Sequence, residues 1–265
     1  MRSTLAPLER LHVEVALRMN REPFKAWWTW CQRYVGALAV RLVTRNLVRD
    51  HGFAHVETAF RQGSILFVAN HRTYFDMFIV SSLLHRRLAG RKRLYFPVVG
   101  QYYYQSLGGM ALNQLVAFWS MFPPLFALPT HGVADRYALE LLSDLSARGP
   151  GTVLGIHPEG GRNLDPDPYS YRRFQPGAGK IIHAARPIVI PVFLAGLHPD
   201  IRVQVGRNWK GGEAVRVWFG APVDLSAHYA LPPKGSTYKQ IVDDVMDRVR
   251  ALGEQDRDEQ QRNRA

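Results

Sequence analysis

The sequence contains very little cysteine, with Cys31 alone among 265 residues. One cysteine excludes an internal disulfide framework and a metal site built from several thiolates, and it fits a reducing compartment. Long apolar runs are also missing, because the candidates are broken by Arg33, Arg41 and Arg45 or by the Pro123-Pro124 pair. We therefore expect a protein that lies on a membrane instead of spanning it.

The N-terminus lacks the pattern of a secretory signal, since Glu9 and Glu14 are spread through it where a basic head and an apolar block would stand. A cytoplasmic, peripheral location on the inner face of the cell membrane is the expectation. The histidines lack ligand spacing and no H-E-x-x-H motif is present, so we predict neither a catalytic metal nor a cofactor.

Acidic residues are outnumbered, with 22 Asp and Glu against 34 Lys and Arg, for a net charge of +12. Such a balance favours phosphate-bearing partners: nucleic acid, an anionic membrane surface or phosphorylated small molecules. Six basic side chains crowd the stretch from His85 to Arg93, and an ordinary solvated loop explains that stretch equally well. A basic binding module, in which the charge itself is the function, is one hypothesis for the whole chain.

Short apolar runs alternate with helical patterns along most of the sequence. Strands are predicted at Ile65, from Leu94 to Val99, at Thr152, from Pro187 to Leu194 and at Val215, with helices over 74–88 and 134–147. This alternation predicts a single α/β domain with a mixed, largely parallel central sheet flanked by helices, and functional loops at the strand ends.

Three segments lie outside this alternation. Residues 1–50 form a predicted helical, membrane-facing region, in which Trp and Arg alternate from Pro23 to Val48; packing of the aromatic face on the core is the alternative. The uncharged stretch from Met110 to Leu128 is either a buried helical hairpin or an interfacial element. Residues 51–250 would form the main domain, and 251–265 a charged flexible tail.

A histidine and an aspartate follow the apolar run I-L-F-V-A directly, in N-H-R-T-Y-F-D. His71 and Asp76 are five positions apart, which on one helix separates their side chains by about 140°. They can meet if His71 lies in the loop and Asp76 begins the next helix, and the carboxylate then orients the imidazole for proton transfer. Alternatively, Asn70 and Asp76 only cap the helix and His71 is a loop residue.

A similar arrangement recurs in H-P-E-G-G-R, which follows the strand at Thr152. Parallel strand ends share one edge, so both loops are predicted to face one crevice. There Glu159 would hold hydroxyls and Arg162 a phosphate, and the backbone at Gly160 and Gly161 would approach a ligand closely. A glycine-rich turn with a surface ion pair is the simpler reading of this segment alone.

Together these segments resemble the glycerolipid acyltransferase family that includes the 1-acylglycerol-3-phosphate acyltransferases. The N-H-R-T-Y-F-D and H-P-E-G-G-R segments are similar to its N-H-x-x-x-x-D and F-P-E-G-T-R blocks, in the same order and with the same separation. F-Q-P-G-A at Phe174 and V-I-P-V-F at Val189 resemble two further blocks. The resemblance covers roughly residues 65–197 and is specific as a set.

The resemblance implies transfer of an acyl chain from acyl-CoA or acyl-carrier protein to a lysolipid hydroxyl, with His71 as general base and Asp76 as its partner. No covalent acyl-enzyme is implied, in keeping with the absence of a G-x-S-x-G motif. Backbone N–H groups near the helix start are the expected oxyanion donors. Asn70, Arg72, Gly161 and Gly177 are expected to support the site.

Some residues depart from the family pattern. The arginine expected after the central apolar segment is missing, because Pro129, Thr130 and His131 occupy that region. Arg136 is the candidate to replace it as an acceptor-binding residue, although its offset differs from the family pattern. His157 and Gly161 replace the usual Phe and Thr. Acceptors other than lysophosphatidic acid, such as another lysophospholipid, an ornithine lipid, a glycolipid or a soluble hydroxyl, therefore stay open, as does a catalytically degenerate membrane-binding protein.

Overall fold

The computed structural model describes residues 6–90, 92–100, 104–125 and 132–263. Its strands are β1 Val48–His51, β2 Ile65–Ala69, β3 Arg93–Tyr95, β4 Val98–Val99, β5 Pro124–Leu125, β6 Thr152–Ile156, β7 Ile188–Ala195 and β8 Val215–Phe219. The helices are α1 Pro7–Met19, α2 Phe24–Cys31, a π-helical segment Gln32–Gly36, α3 Ala37–Thr44, α4 Phe53–Gln62, α5 Asp76–Arg87, α6 Leu107–Leu115, α7 Gly132–Ser146, α8 Gly177–Ala185, α9 Ile201–Lys210, α10 Ser226–Tyr229 and α11 Gly235–Arg262.

Six strands form one central sheet in the order β1-β8-β7-β2-β6-β3, and β4 pairs with β5 separately. Neighbouring strands of the central sheet are parallel except for β7 and β8, which are antiparallel. The predicted α/β fold with a mixed, largely parallel sheet is confirmed. Pro97 follows Phe96 between β3 and β4, and the predicted strand from Leu94 to Val99 is divided there into two short strands.

The central strand β2 has an apolar side chain at every position because both faces of the sheet are covered. Leu66 and Val68 point into a core shared with α8 and α11. Ile65, Phe67 and Ala69 point into a second core, shared with α4 and α5. The alternation of side chains along a strand thus produces two hydrophobic layers, one on each side of the sheet.

The N-terminal helices divide their side chains between the core and solvent. Lys25 is fully buried, and its Nζ donates to Asn20 Oδ1 at 2.9 Å and to the Leu94 carbonyl at 2.7 Å, which holds α2 against β3. Opposite lies an exposed row that we call the aromatic stripe: Trp27, Trp30, Tyr34, Leu38 and Leu42, each at least 50% exposed. One face of this region therefore packs on the core, as the alternative predicts, and membrane contact of the exposed face stays a prediction.

The predicted domain boundary at residue 50 is wrong, because it cuts β1. That strand pairs along its length with β8, from Val48 opposite Val215 to His51 opposite Trp218. The predicted helical hairpin in the stretch from Met110 is also wrong. α6 ends at Leu115, and an irregular segment follows in which Trp119 and Phe122 are buried. Residues 126–131 lie outside the described part of the chain.

In the described residues, no helix combines the length and the apolar character needed to cross a bilayer. The exposed leucines of α6, Leu107 and Leu115, lie on a helix of 9 residues, much shorter than a span of about 20 residues.

The predicted flexible tail at 251–265 is instead the end of α11, which continues to Arg262. Leu252 and Asp256 are buried because they continue the apolar face of the helix that includes Val245 and Val249. Asp256 accepts hydrogen bonds from Arg216 Nε at 2.8 Å, Trp218 Nε1 at 2.9 Å and Tyr169 Oη at 3.0 Å. The tail was misjudged because its charged residues include one that pairs inside the protein.

We expect Asp256→Ala to lower the free energy of unfolding by about 3 kcal/mol, because it removes the buried counter-charge of the Arg216 guanidinium and leaves only the exposed Glu213 as its partner. Urea denaturation measures the change. Asp258→Ala, an exposed change on the same helix, is the control and should cost less than about 0.5 kcal/mol. Equal effects of the two substitutions would contradict this account of the C-terminal helix.

Candidate active site

His71 and Asp76 meet where β2 ends and α5 begins. His71 lies in the loop two residues after Ala69, the last residue of β2, and Asp76 is the first residue of α5. The distance from His71 Nδ1 to Asp76 Oδ2 is 3.0 Å. The structure therefore brings the two side chains together in the way that the loop and helix-start arrangement predicts.

The Asp76 carboxylate also organises the loop that carries His71. It is 1% exposed and accepts hydrogen bonds from the Arg72 amide at 2.8 Å, from the Thr73 amide at 3.0 Å and from Thr73 Oγ1 at 2.7 Å. Burial alone would raise the pKa of Asp76, but the hydrogen bond and charge of His71, with the Thr73 hydroxyl, hold this pKa below its usual range. Asp76 is thus an anion that caps the helix start and also partners His71.

The proton position on His71 follows from its partner. An ionised carboxylate only accepts hydrogen bonds, so His71 Nδ1 must carry the hydrogen that it shares with Asp76. In the neutral ring Nε2 then has its lone pair free to accept a proton. The side chain of His71 is 19% exposed, so a small part of its ring is accessible to solvent. The side chain of Asp76 is 1% exposed.

Asn70 connects the end of β2 to the neighbouring strand. Its Nδ2 donates to the Leu194 carbonyl and its Oδ1 accepts from the Leu194 amide, both at 2.8 Å. The side chain is 1% exposed. Asn70 therefore uses both polar atoms of its side chain to fix the end of β2, from which the His71 loop starts. This contact supports the loop.

Glu159 is placed differently from the expectation that it holds substrate hydroxyls. Its carboxylate is buried, and it accepts from the His71 amide and from the Arg172 amide, each at 2.9 Å. Burial raises the pKa of Glu159, although these two amide hydrogen bonds oppose the rise. Since both oxygens are already bonded to the backbone, Glu159 clamps the His71 loop to the H-P-E-G-G-R loop, and its assignment as an acceptor-binding residue needs this correction.

The two loops are held together from the other side as well. The amide of Asn163 donates to the His71 carbonyl at 2.7 Å. Both backbone polar groups of His71 are therefore bonded to the segment after β6. As predicted from the shared edge of the sheet, the ends of β2 and β6 place their loops in contact.

His157 lies against the face of the His71 ring. The ring centroids are 4.0 Å apart and the ring planes differ by 11°. His157 Nδ1 is 3.2 Å from the Ala69 carbonyl, which fixes Nδ1 as the protonated nitrogen. Burial first, and then the nearby His71, lower the pKa of His157 to about 3, so this ring is neutral and acts as a flat surface on which His71 rests.

Backbone conformation explains the first glycine of the second loop, and side-chain packing explains the next one. Gly160 has φ of +66°, a conformation that glycine adopts without strain. A Cβ on Gly161 would lie 2.8 Å from Arg172 Nη1, so the missing side chain makes room for Arg172. That arginine donates from Nη1 to the Arg162 carbonyl at 3.2 Å. The change from the family's usual threonine to Gly161 is therefore matched by Arg172.

Arg162 is the predicted phosphate-binding residue that does reach the site. Its guanidinium carbon lies 3.7 Å from the centroid of the Tyr74 ring, and Nη2 donates to the Tyr74 hydroxyl at 2.9 Å. Tyr74 belongs to the loop between His71 and Asp76. The positive charge of Arg162 is thereby held against the loop that joins His71 to Asp76, without a carboxylate partner in the described part of the chain.

The remaining predicted residues lie elsewhere. Gly177 begins α8, and the nearest group to a Cβ built there is Leu139 at 3.9 Å, so Gly177 contributes to helix packing. The side chain of Arg136 lies outside the described residues, as do Pro129, Thr130 and His131. Arg72 supports Asp76 through its amide, and its Nη2 donates to the Asp165 carbonyl.

Thr73 is a site residue that the sequence reasoning missed. It gives Asp76 two of its hydrogen bonds and accepts a third, from the Phe75 amide at 3.1 Å. The spacing of Thr73 and Asp76 matches the S/T-x-x-D/E pattern that marks helix starts, so a signal for it was present.

His71, Asp76 and His157 lie close enough together to suggest a metal site, with one candidate ligand atom from each within 4.8 Å of the others. The ring geometry argues against it. Metal ligation uses a lone pair in the plane of the imidazole, and two rings stacked face to face direct their lone pairs along parallel planes. Nδ1 of each ring is also engaged by an oxygen acceptor.

Comparison with known proteins agrees with this geometry. The Acyltransferase family model matches residues 48–195, more than half of the chain, and the chain belongs to that family. Membership implies an acyl donor and a lipid acceptor. The matched range contains both loops of the site and begins at β1.

Among solved structures, the chain is similar to the crystal structure of the 1-acyl-sn-glycerophosphate (LPA) acyltransferase PlsC from Thermotoga maritima. The TM-score is 0.47 and the identity 18%, over 90% of this chain and 87% of that chain. A similarity of this degree carries no argument about substrate. No curated protein matches the chain.

His157 predicts how stability depends on pH. Its pKa is about 3 in the folded protein against 6.5 ordinarily, so the unfolded chain binds the extra proton between these values. The stability contributed by neutral His157 is complete above about pH 6.5 and is lost as the pH falls towards about 3. His157→Phe should remove this loss.

The measurement is urea unfolding of wild type and His157→Phe at neutral pH and at about pH 5. Wild type should lose on the order of 2 kcal/mol more than the variant over this interval, from the 1.36 kcal/mol that one pKa unit represents. His55→Phe, a change at a histidine on α4 outside the site, is the control and should follow wild type. Parallel pH profiles for wild type and His157→Phe would contradict the burial of a neutral ring beside His71.

Proposed function

We propose that this protein transfers a fatty acyl chain from acyl-CoA or acyl-carrier protein to a hydroxyl of a lysophospholipid or related glycerolipid. The observation that carries the proposal is the 3.0 Å contact between His71 Nδ1 and the buried carboxylate of Asp76. It sits in a chain that belongs to the Acyltransferase family.

In the proposed step, His71 Nε2 takes the proton of the acceptor hydroxyl while its oxygen attacks the thioester carbon. The C–O bond forms, the C–S bond breaks, and the imidazolium returns the proton to the leaving thiolate. Asp76 stabilises the imidazolium through Nδ1. The acceptor hydroxyl is itself the nucleophile, so no side chain needs to form a covalent acyl intermediate.

The oxyanion that forms at the thioester needs a donor other than the first amides of the loop. The Arg72 and Thr73 amides already donate to Asp76, which removes them from the expected set. Arg72 Nη1 is buried and has no hydrogen-bond partner in the described part of the chain. We propose the Arg72 guanidinium as one donor for the negative charge.

Arg162 is the proposed contact for an acceptor phosphate. It is held over Tyr74 beside the His71 loop, and a guanidinium binds phosphate through two parallel hydrogen bonds. The departures at His157 and Gly161 lie in the same loop, which is why acceptors outside the lysophosphatidic acid type, including an ornithine lipid or a glycolipid, belong in any substrate panel.

The aromatic stripe is the proposed membrane contact, on the cytoplasmic face of the cell membrane. Its side chains are exposed in spite of their size, and α2 and α3 that carry them are anchored to the core on the opposite face. Exposed Trp and Tyr near arginines suit the boundary between head groups and acyl chains of an anionic membrane.

The catalytic pair is tested by thiol release from a long-chain acyl thioester with a panel of lysolipids. His71→Ala should lower turnover at least about a hundredfold, because it removes the base. Asp76→Asn should also lower it, because an amide can leave the imidazole with its proton on the wrong nitrogen. His55→Ala is the matched control. Turnover that survives His71→Ala would refute the mechanism, and no turnover with any acceptor would favour the degenerate membrane-binding alternative.

Membrane contact is tested by flotation with lipid vesicles. Trp30→Ser should weaken vesicle binding about tenfold, since it removes a large apolar side chain from the stripe. Leu231→Ser, which removes an exposed apolar side chain near α8 and α11 on the other side of the sheet, should leave binding close to that of wild type. Equal losses from both substitutions would contradict the assignment of the stripe as the attachment surface.

A further inference from the structure

A pocket of about 280 Å³ lies between α3 and α5, on the side of the sheet that carries α4. It is separate from the active site. The pocket reaches His85 and Arg86 near the end of α5, whereas Asp76 begins that helix. Nine residues at 1.5 Å rise place His85 about 14 Å along the helix from Asp76.

The pocket is lined by four arginines, Arg33, Arg41, Arg45 and Arg86, and its lining includes no acidic residue. Only Arg86 has a carboxylate partner among the described residues, Asp50 at 3.6 Å. Three arginines that have no carboxylate partner among the described residues thus line one concave surface. Such a surface favours a bound anion, and guanidinium geometry suits phosphate.

His85 is an unpartnered polar side chain in the wall of this pocket. It is 5% exposed, and neither Nδ1 nor Nε2 has a hydrogen-bond partner in the described structure. Burial, with the charges of Lys92 and Arg33, lowers its pKa to about 3, so the ring is neutral with one N–H to donate. Buried polar groups without partners are rare in folded proteins, and a ligand oxygen in the pocket would supply the missing acceptor.

Helix ends explain part of this arrangement but not all of it. Arg41 and Arg86 lie in the last turns of α3 and α5, where positive charge complements the helix dipole, and Arg45 caps α3. Arg33 lies in the π-helical segment before α3, so that explanation does not reach it. Nor does it explain a buried histidine with two unpaired nitrogens.

The residues at the rim of the pocket favour a membrane lipid as the source of the bound anion. Tyr34 and Leu38 line the pocket and also belong to the aromatic stripe. Each is 52% exposed. When the stripe contacts a bilayer, the pocket mouth therefore lies at the level of the lipid head groups.

We propose that this pocket is a second lipid site, which binds the phosphate head group of an anionic membrane lipid through Arg33, Arg45 and His85. The bound lipid is part of the membrane surface and is not the acyl acceptor. The inference rests on the membrane attachment proposed above and does not depend on the acyl-transfer step. The bound lipid orients the protein so that the β2 and β6 loops keep a fixed position relative to the bilayer.

The test compares binding of the full chain to vesicles of phosphatidylcholine alone and of phosphatidylcholine mixed with phosphatidic acid. Arg33→Gln/Arg45→Gln should lower affinity for the anionic vesicles about thirtyfold, from about 1 kcal/mol per arginine near a charged surface. The control, Lys234→Gln/Arg248→Gln, removes two exposed positive charges, one directly before α11 and one on it, on the opposite side of the sheet. It should change affinity less than about threefold.

His85→Leu separates a built pocket from diffuse surface charge. It changes no net charge at neutral pH, and we expect it to lower affinity for anionic vesicles about fivefold while leaving binding to phosphatidylcholine vesicles unchanged. A thermal unfolding scan of each variant confirms that it is folded. Wild-type affinity of folded His85→Leu, or equal losses from the two double variants, would overturn the proposal.

Two further binding experiments distinguish a lipid from a soluble phosphate and show that vesicle binding is independent of acyl transfer. Inorganic phosphate at millimolar concentration should not displace wild type from anionic vesicles; displacement would assign the pocket to a soluble phosphate and overturn the lipid assignment. His71→Ala should bind vesicles like wild type, because the pocket lining shares no residue with the loop from His71 to Asp76. Vesicle binding needs no turnover, so a failure of the proposed function leaves this result readable.

Discussion

The buried carboxylate of Asp76 is the contact on which the site depends. It bonds to the His71 ring, to the amides of Arg72 and Thr73 and to the Thr73 hydroxyl, so one anion fixes the loop and the base together. A buried charge is costly unless its partners are complete, and here the loop wraps the carboxylate so that they are. The same carboxylate that stabilises the helix start therefore also fixes the orientation of the His71 imidazole.

A second buried carboxylate, Glu159, works on the backbone of the same histidine. It joins the His71 amide to the Arg172 amide, and Asn163 closes the loop pair through the His71 carbonyl. The position of the imidazole is thus fixed from β2 through Asn70, from α5 through Asp76 and from the β6 loop through Glu159. Such support is what holds a reacting group within a fraction of an ångström.

Much of the fold could be predicted from the sequence, because continuous apolar runs such as I-L-F-V-A identify strands that are covered on both faces. The pairing of His71 with Asp76 also followed, since the strand end before it fixed the loop. The last part of α11 was predicted as a flexible tail because its residues are mostly charged. Asp256 lies on the buried face of the helix all the same, and its partner Arg216 is 40 positions away in the sequence. The role of Glu159 was missed for a similar reason: sequence shows a carboxylate but not the amides that occupy it.

The departures at His157 and Gly161 have structural partners that sequence alone does not reveal. His157 keeps a flat, uncharged ring beneath His71, and Gly161 leaves the space that Arg172 fills. These substitutions alter how the loop is packed while the contact between His71 and Asp76 is kept.

The most direct test of the central claim is a ¹⁵N NMR measurement of the neutral His71 ring, assigned by comparison with His71→Gln. An ionised Asp76 at 3.0 Å from Nδ1 requires the hydrogen to be on Nδ1 and leaves Nε2 unprotonated. The account predicts this tautomer in wild type and its loss of preference in Asp76→Asn. A ring protonated on Nε2, or a tautomer that Asp76→Asn does not change, would contradict it.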